Sequence, residues 1–418
     1  MQDKTDVLII GGGIVGICAA TYLQKAGRKV TLVEKSGIAS GCSEGNAGLI
    51  VPSHIVPLAA PGVISQGFKW MFNPSSPFYI KPRLSMDLLS WIWKFQGFCN
   101  EAHVHRCMPI LHQLIQASLE QFKQLEAQYQ PGSDLTQDGL LMLFRTAKGR
   151  DSCIREVEPA RKMGMEARIL ERDDLYQLEA NSPENMLGGV YYPQDAHLNP
   201  GKFVYGLEKV LRERGVAIHT NTEVTGFEKD GARITGVLTN KGKIQANQII
   251  LAGGAWAPAI VRDLNLKLPV QPAKGYSLTL KDPTKKPRIP MILIEDRATV
   301  TPMENSIRFA GTLELAGLDL SINRRRVRSI LKAVPDYFPN FNADTMDWGK
   351  VWAGFRPCTP DGLPYIGRSK SYNNLVVAAG HAMVGITLAP ITGKIVAELA
   401  DEKTPEQSIE ALAVERFG

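Results

Sequence analysis

The chain has 418 residues, of which 44% are hydrophobic and 22% charged, and its 48 basic and 42 acidic side chains leave a net charge of +6. This length predicts two domains or two interleaved lobes, and the composition excludes disordered, collagen-like and low-complexity proteins. Basic residues are scattered apart from one run at residues 324–326, which is more typical of a solvated helix start than of a nucleic-acid-binding surface.

The chain opens with the pattern of a strand, a glycine-rich turn, a helix and a second strand. Residues 6–10 (DVLII) form an apolar run typical of a buried parallel strand, and the helix and second strand are predicted at 14–26 and 29–33. Between strand and helix, the glycine positions of G-x-G-x-x-G are filled by Gly11, Gly13 and Gly16. These glycines permit a tight turn, close approach of the backbone to a pyrophosphate and close packing of the helix, whose N-terminus would face the phosphates.

Glu34 stands at the end of the second predicted strand. A carboxylate at this position accepts hydrogen bonds from an adenosine ribose and repels the 2′-phosphate of NADP. The segment therefore predicts a site for NAD or FAD. The alternative, a glycine-rich turn without a ligand, is disfavoured because strand, glycines, helix, second strand and terminal acid all occur together.

The rest of the chain alternates between helix and strand patterns. Amphipathic helices are predicted over residues 107–129 and 201–213, and the turn residues at 240–242 predict a β-hairpin. Strands are predicted at 140–144, 215–219, 234–239, 243–247, 249–252 and 351–355. The last of these strands would end just before Arg356.

The cysteines and the N-terminus bear on the cellular compartment. Six cysteines lie at positions 18, 42, 99, 107, 153 and 358. They form no C-x-x-C pair, and no histidine pair has zinc-like spacing, so neither a metal site nor a disulfide framework is expected. The sequence shows no signal-peptide pattern and no long uncharged apolar run, so we expect a cytoplasmic protein without a membrane span.

Seven segments carry further information, at residues 7–35, 40–62, 67–72, 271–280, 308–319, 352–367 and 378–399. In sequence and in order they resemble the FAD-dependent D-amino-acid oxidase superfamily, which includes glycine oxidase, sarcosine oxidase and the bacterial D-amino-acid dehydrogenases. The stretch NAG at 46–48, followed by an A-A-P-G turn, and GFKWMF at 67–72 resemble the dehydrogenase branch, including the hydroxy-D-proline dehydrogenases. Glycine oxidase is next in similarity, through GHAMVGITLAP at 380–390.

The resemblance implies a mixed α/β fold, in which a Rossmann-like FAD-binding domain is interleaved with an antiparallel-sheet substrate domain. The FAD-binding domain would comprise residues 1–56, 154–182, 203–262 and 345–418. The substrate domain would comprise residues 57–153, 183–202 and 263–344. FAD is expected to be non-covalent, because Gly354, and not Cys358, occupies the position of the cysteine that carries the flavin in some sarcosine oxidases.

The resemblance also implies which residues hold the FAD. The expected contacts with flavin, pyrophosphate, ribose and adenine are Gly11, Gly13, Ile14, Val15, Gly16, Glu34, Lys35, Asn46, Ala47, Gly48, Leu49, Val224, Gly253, Gly254, His381, Met383, Val384, Gly385, Ile386 and Thr387. Backbone N–H groups at the last helix start would stabilise negative charge at the N1–C2=O edge of the reduced flavin. For His381, the alternative is a histidine buried in the core.

Three residues are implied for the substrate. Arg356 would bind the substrate carboxylate, because a planar guanidinium matches it with two hydrogen bonds; an ion pair with Asp361 is the alternative. Tyr276 would bond the carboxylate or cover the flavin, unless it is an aromatic residue of the core. His54 would shape the substrate pocket or sense charge there, unless it is a loop histidine without a role.

The implied reaction is oxidative deamination of D-amino acids to imino or keto acids by hydride transfer to flavin N5, with electrons passed to a quinone or another non-oxygen acceptor. D-Proline and hydroxy-D-proline are candidate substrates. Two alternatives stay open: an O₂-using oxidase of the glycine or sarcosine type, and an FAD subunit of a multi-component dehydrogenase. Residues 84–98, rich in Trp and Phe, predict either peripheral contact with the inner face of the cytoplasmic membrane or a helix packed over the substrate domain.

Overall fold

Two large β-sheets and the helices that cover them form the architecture of this chain. The computed structural model describes residues 3–63, 78–81, 83 and 85–417. The sheets have eight and nine strands, and the mixed α/β class predicted from the sequence is confirmed. The GFKWMF segment at 67–72 lies outside the described residues.

The helices of the described residues are α1 (Ile14–Lys25), α2 (Met86–Phe98), α3 (Glu101–Tyr129), α4 (Ala147–Lys162), α5 (Arg172–Leu178), α6 (Pro200–Glu213), α7 (Ala257–Ile260), α8 (Arg324–Leu331) and α9 (Gly385–Ala400). The strands are β1 (Asp3–Ile10), β2 (Val30–Val33), β3 (Leu49–Ile50), β4 (Phe78–Ile80), β5 (Leu140–Phe144), β6 (Arg168–Glu171), β7 (Gly188–Tyr192), β8 (Ala196–His197), β9 (Ala217–His219), β10 (Val224–Asp230), β11 (Arg233–Thr239), β12 (Gly242–Leu251), β13 (Gln271–Lys281), β14 (Met291–Leu293), β15 (Ala298–Met303), β16 (Ser306–Leu315), β17 (Val351–Cys358), β18 (Tyr365–Arg368) and β19 (Leu375–Ala379).

The eight-stranded sheet has a parallel centre. Its strands run in the order β10-β11-β12-β1-β2-β9, and β19, itself paired with β18, joins the later part of β12. The pairs β12–β1, β1–β2, β2–β9 and β12–β19 are parallel. The predicted strands at 243–247 and 249–252 are one continuous strand in the structure, β12. The polar residues near its middle do not form a turn; they lie where the strand changes from the exposed hairpin with β11 to the buried centre of the sheet.

The nine-stranded sheet is mainly antiparallel, as the resemblance implied. Its order is β17-β13-β16-β15-β14-β5-β7-β6, with β4 beside β16. Only the pairs β14–β5 and β16–β4 are parallel within the described residues. A two-stranded sheet, β3–β8, lies apart from both and joins the loop after residue 50 to the segment before residue 196.

The chain passes repeatedly between the two large sheets, which is the interleaving that the resemblance implied. Two strands depart from the predicted boundaries: β6 and β17 were placed in the FAD-binding domain, but both pair within the nine-stranded sheet. Arg356 consequently lies inside β17 and not beyond its end. The remaining boundaries stay a prediction.

The last helix lies in the core. Among the described residues, only the stretch Ala382–Ala400 is long and apolar enough to cross a membrane, and 67% of it is buried. It packs against α1 and α3. A core helix has this length and composition too, and the burial of the stretch accounts for its apolar character.

The basic run at residues 324–326 begins a helix, as predicted, but it is not fully solvated. Asn323 caps α8 by accepting a hydrogen bond from the backbone N–H of Arg326. The Arg326 side chain is only 4% exposed and lies over the ring of Tyr79. Its guanidinium therefore stabilises the packing of β4, while Arg324 and Arg325 are exposed.

Candidate active site

Two adjoining cavities lie where the two sheets meet. The first, of about 390 Å³, lies at the carboxyl ends of β1 and β2. The second, of about 670 Å³, lies against the nine-stranded sheet. Both cavities share the lining residues Cys42, Asn46, Phe355 and Arg356. Ligands of open α/β sheets bind outside the carboxyl ends of parallel strands, so the first cavity has the position of a nucleotide site.

The turn between β1 and α1 has the geometry that its glycines predict. Gly11 has a φ of +116°, and a Cβ there would lie 2.4 Å from the carbonyl oxygen of Ala252. A Cβ at Gly16 would lie 1.9 Å from the carbonyl oxygen of Gly11, so only glycine lets α1 pack this close to the turn. The N-cap residue of α1, Gly13, has no side chain, and the Ser43 hydroxyl accepts a hydrogen bond from the Ile14 N–H. This helix N-terminus faces the first cavity and suits a diphosphate.

Glu34 lies at the end of β2 on the wall of the first cavity. Its carboxylate accepts hydrogen bonds from the backbone N–H groups of Gly12, at 2.8 Å, and Ser36, at 3.0 Å. Beside it, the Lys35 ammonium lies 3.9 Å from the centre of the Trp256 ring, which lines the same cavity. Trp256 was not predicted from the sequence, since nothing in its local pattern points to a ligand.

A second helix N-terminus, that of α9, also faces this cavity. Gly385 and Ile386 line the cavity, and no side chain caps the helix. His381 precedes it and contacts the Thr392 hydroxyl at 3.0 Å. Burial lowers the pKa of His381 to about 4, so this histidine is neutral at physiological pH. The positive helix end favours a ligand that carries negative charge on this side, and the neutral imidazole adds no charge of its own.

The predicted FAD residues fall into three groups. The first cavity is lined by Gly11, Gly13, Ile14, Val15, Glu34, Lys35, Asn46, Val224, Gly253, Gly254, His381, Gly385 and Ile386. The second cavity is lined by Asn46, Ala47, Leu49, Met383 and Val384. Neither cavity is lined by Gly16, Gly48 and Thr387. Gly48 has a φ of +78° and packs against the carbonyl of Leu198, while the Thr387 hydroxyl donates to the carbonyl of Leu49, so both hold the β3 segment in place.

These features fit FAD. The two helix ends can accept its negatively charged parts, and Glu34 can accept hydrogen bonds from a ribose. A Cβ at Gly354 would lie 2.0 Å from the Trp352 indole, which leaves no room there for a flavin-linking cysteine. No cluster of three or more His, Cys, Asp or Glu side chains that could hold a metal ion occurs in the described part of the chain.

Arg356 lies at the junction of the two cavities and lines both. Its Nη1 donates to the carbonyl of Thr312 at 2.9 Å. Among the described residues it has no ion pair, and the alternative partner Asp361 is instead bound by Arg416. Burial lowers the pKa of Arg356, so a bound carboxylate would stabilise its charge.

Tyr276 lines the second cavity, but its hydroxyl is already engaged. It donates to Glu314 Oε2 at 2.8 Å and accepts from the backbone N–H of Asn323 at 3.3 Å. Burial, together with Glu314, raises its pKa. Its ring thus contributes to the cavity wall, whereas a hydrogen bond from its hydroxyl to a substrate stays a prediction.

His54 lines the second cavity in a loop that follows β3. Its Nδ1 lies 2.9 Å from the Ser53 hydroxyl, which in turn donates to the carboxylate of Asp195. Asp195 is fully buried. No sequence pattern connects Ser53 with Asp195, because 142 positions separate them.

The far wall of the second cavity is mainly apolar. It is formed by residues that include Val51, Ile55, Met108, Met142, Tyr192 and Ile292. Polar groups on this wall come from Arg155, Glu156 and Thr299. Burial raises the pKa of Glu156, while Arg155 and Arg297 oppose this shift. Arg155 and Glu156 were not predicted, since α4 has the pattern of an ordinary amphipathic surface helix, and no sequence pattern singled out Thr299.

Comparison with known proteins agrees with this geometry. The family model of FAD-dependent oxidoreductases named DAO matches residues 6–399. A D-amino acid dehydrogenase of Helicobacter pylori is 32% identical over 417 residues, 99% of either chain. One from Neisseria meningitidis is 29% identical over 418 residues, covering 98% of this chain and 99% of the relative.

Solved structures show the same fold. Glycine oxidase from Geobacillus kaustophilus has a TM-score of 0.78 at 23% identity, covering 99% of both chains. L-proline dehydrogenase from P. horikoshii has a TM-score of 0.72 at 23% identity, covering 100% of this chain and 98% of that one. The predicted resemblance is confirmed, and the chain belongs to the DAO family of FAD-dependent oxidoreductases, with FAD as its cofactor.

Proposed function

We propose that this oxidoreductase is a D-amino-acid dehydrogenase, which oxidises the Cα–N bond of a D-amino acid to an imine that hydrolyses to a keto acid. Arg356 supports this proposal most directly, because it is a cation at the cavity junction with no carboxylate partner among the described residues. The D-configuration is suggested by the names of the full-length relatives from Helicobacter pylori and Neisseria meningitidis.

The residues of the second cavity would position the substrate. Arg356 would hold the carboxylate with two charge-assisted hydrogen bonds and so orient the Cα–H toward the first cavity. The apolar wall, with Val51, Ile55 and Met142, would exclude water from the reacting carbon. Bound FAD supplies the two-electron acceptor for this oxidation.

Cyclic amino acids are the substrates to test first. D-Proline offers a compact apolar ring to the wall described above, and the hydroxyl of hydroxy-D-proline would have Thr299 or Glu156 as a hydrogen-bonding partner. Glu156 would also accept hydrogen bonds from a basic side chain. The preference among apolar cyclic, hydroxylated and basic amino acids therefore depends on the part of the cavity wall that carries Glu156.

The test is an anaerobic titration of the purified yellow protein with D- and L-amino acids, including both proline types. Bleaching of the flavin band by a D-amino acid and not by its L-isomer supports the proposal. Fast reoxidation in air with peroxide formation would instead support an oxidase of glycine or N-methyl amino acids. A protein that no amino acid bleaches contradicts the proposal and leaves a partner-dependent subunit.

For the electron acceptor we propose a membrane quinone, reached by peripheral contact of α2 with the inner face of the cytoplasmic membrane. Met86, Leu89 and Trp93 are 79%, 56% and 75% exposed and lie on one face of this helix. Trp91 and Phe95, by contrast, are buried, so only part of the aromatic segment is available to lipid. An apolar helix face of this kind, with Trp and Met, suits a bilayer interface.

Sedimentation with anionic lipid vesicles at low salt tests this contact. The double variant Leu89→Ser and Trp93→Ser should stay in the supernatant. Leu187→Ser, which changes a leucine that is 45% exposed elsewhere on the surface, should sediment with the vesicles as the wild type does. Absence of wild-type protein from the pellet would exclude the contact.

A further inference from the structure

A chain of three polar groups leads from the second cavity into the protein interior. The pairing of β3 with β8, through Leu49–His197 and Ile50–Ala196, brings the loop of residues 53–54 beside Asp195. The Ser53 N–H donates to Asp195 Oδ1 at 3.0 Å, and the Ser53 hydroxyl donates to Asp195 Oδ2. His54 Nδ1 lies 2.9 Å from the same hydroxyl. Asp195 has no ion pair among the described residues, so an interior carboxyl group is linked to the cavity only through Ser53 and His54.

The hydrogen-bond directions define the state of His54 when Asp195 is ionised. A carboxylate can only accept, so the Ser53 hydroxyl must donate its proton to Asp195. The same hydroxyl then accepts from His54, which places the imidazole proton on Nδ1. The Nε2 atom is left with a free electron pair, and His54 lines the second cavity where the substrate would lie.

We propose that the Asp195–Ser53–His54 chain accepts the proton that the substrate ammonium must lose before its Cα–H bond can be oxidised. This inference rests on the proposed function, since it requires an amino-acid substrate. The N–H bond of the ammonium breaks and its proton binds His54 Nε2, while the Nδ1 proton moves to Ser53 and the Ser53 proton to Asp195. The products are a neutral amine and a neutral Asp195 carboxyl group; no electrons are transferred, and the proton returns to solvent after turnover.

The environments of the two end groups favour this direction. Burial lowers the pKa of His54 to about 4, so a proton does not remain on the imidazole. Burial raises the pKa of Asp195 to about 8 although its hydrogen bonds from Ser53 oppose the shift. A proton that enters at His54 is therefore more stable on Asp195, and the chain accepts protons above about pH 8, when Asp195 is ionised.

Other titratable or charged groups face the same space. Tyr192 lies near Asp195, and burial raises its pKa, so it stays neutral. Around the second cavity the remaining groups are Cys42, Arg155, Glu156, Tyr276 and Arg356. Among them only Glu156 is a plausible competing base, and it is therefore included in the test.

The experiment measures the limiting rate of anaerobic flavin bleaching against pH, with the D-amino acid that reduces the wild type. Ser53→Ala should lower this rate about 10²-fold near pH 8, as loss of a general base does. In the wild type, the increase of this rate with pH should have its midpoint near pH 8. In Ser53→Ala the midpoint should shift to the higher pKa of the free substrate ammonium. Ser53→Thr, which keeps a hydroxyl, should restore the wild-type profile, and Asp195→Asn should resemble Ser53→Ala.

Two controls separate proton transfer from a structural effect. The Kd of cyclopentanecarboxylate, a carboxylate without an amine, is measured from the flavin spectrum and should be equal in wild type and Ser53→Ala. Ser182→Ala, which removes another buried serine hydroxyl, should keep the wild-type rate at all pH values.

Three results would overturn the inference. These are an equal loss of rate at every pH in Ser53→Ala, a parallel loss of cyclopentanecarboxylate binding, and a shifted pH profile in Glu156→Gln but not in Ser53→Ala. A wild type that no amino acid reduces would refute the proposed function instead.

Discussion

Replacement of Arg356 by alanine would remove the cation at the cavity junction. In the structure, Nη1 already bonds to the Thr312 carbonyl, and the rest of the guanidinium is available to a ligand. A hydrogen bond to a charged group contributes about 1.5–3 kcal/mol, and loss of one partner of a buried ion pair costs about 3–5 kcal/mol. We expect a loss of about 3–4 kcal/mol in transition-state stabilisation, which corresponds to a fall in kcat/KM of about 10²–10³-fold.

The assay is steady-state oxidation of the D-amino acid with an artificial electron acceptor, together with the Kd of cyclopentanecarboxylate. Arg356→Lys should recover only part of the loss, because an ammonium cannot match both carboxylate oxygens in the plane of a guanidinium. Arg288→Ala, which removes a surface arginine paired with Asp138, should leave kcat/KM unchanged. A kcat/KM for Arg356→Ala within about threefold of wild type would refute the assigned role.

Three further predictions concern the cofactor and stability. Gly16→Ala should abolish FAD retention, measured by flavin absorbance of the purified protein, because its Cβ would lie 1.9 Å from the Gly11 carbonyl; Gly97→Ala in α2, with no atom within 4 Å, should retain FAD. Glu34→Ala should weaken FAD binding about 10-fold or more, measured by fluorescence titration, since two backbone N–H groups and the ribose lose their acceptor. Because burial raises the pKa of Asp195 to about 8, the stabilisation that its proton provides is complete below about pH 4 and is lost as the pH rises to about 8. The free energy of unfolding in urea should therefore fall over this range more steeply in wild type than in Asp195→Asn, by up to about 1.4 kcal/mol per pH unit, and parallel curves would contradict the assignment.

Local patterns were sufficient to predict the nucleotide side of the site. The apolar strand, the glycine spacing and the terminal Glu34 lie within one short segment, and their pattern is recognisable without knowledge of the distant residues, such as Ala252, against which the turn packs. Helix and strand types were also predicted where the apolar pattern is strong, as in β5, a continuous apolar run that begins and ends where expected. The strand β12 was divided wrongly because a change of exposure resembles a turn in the sequence.

The substrate side depends on contacts between distant parts of the chain. Asp195 joins Ser53 only through the pairing of β3 with β8, and neither two-residue strand has a recognisable pattern. Tyr276 could be identified by its motif, but its bond to Glu314 follows from the register of β13 and β16. The burial of Arg326 likewise depends on Tyr79, far away in the sequence.

The repeated passage of the chain between the two sheets has a consequence for fragments of this enzyme. Each sheet is assembled from segments scattered along the sequence, so no contiguous piece contains all strands of one sheet without strands of the other. A protease that cuts a single exposed loop would leave both halves held together by the remaining crossings. For the same reason, one lobe cannot be exchanged between relatives by a single recombination event. Individual substitutions along the cavity wall do not meet this obstacle.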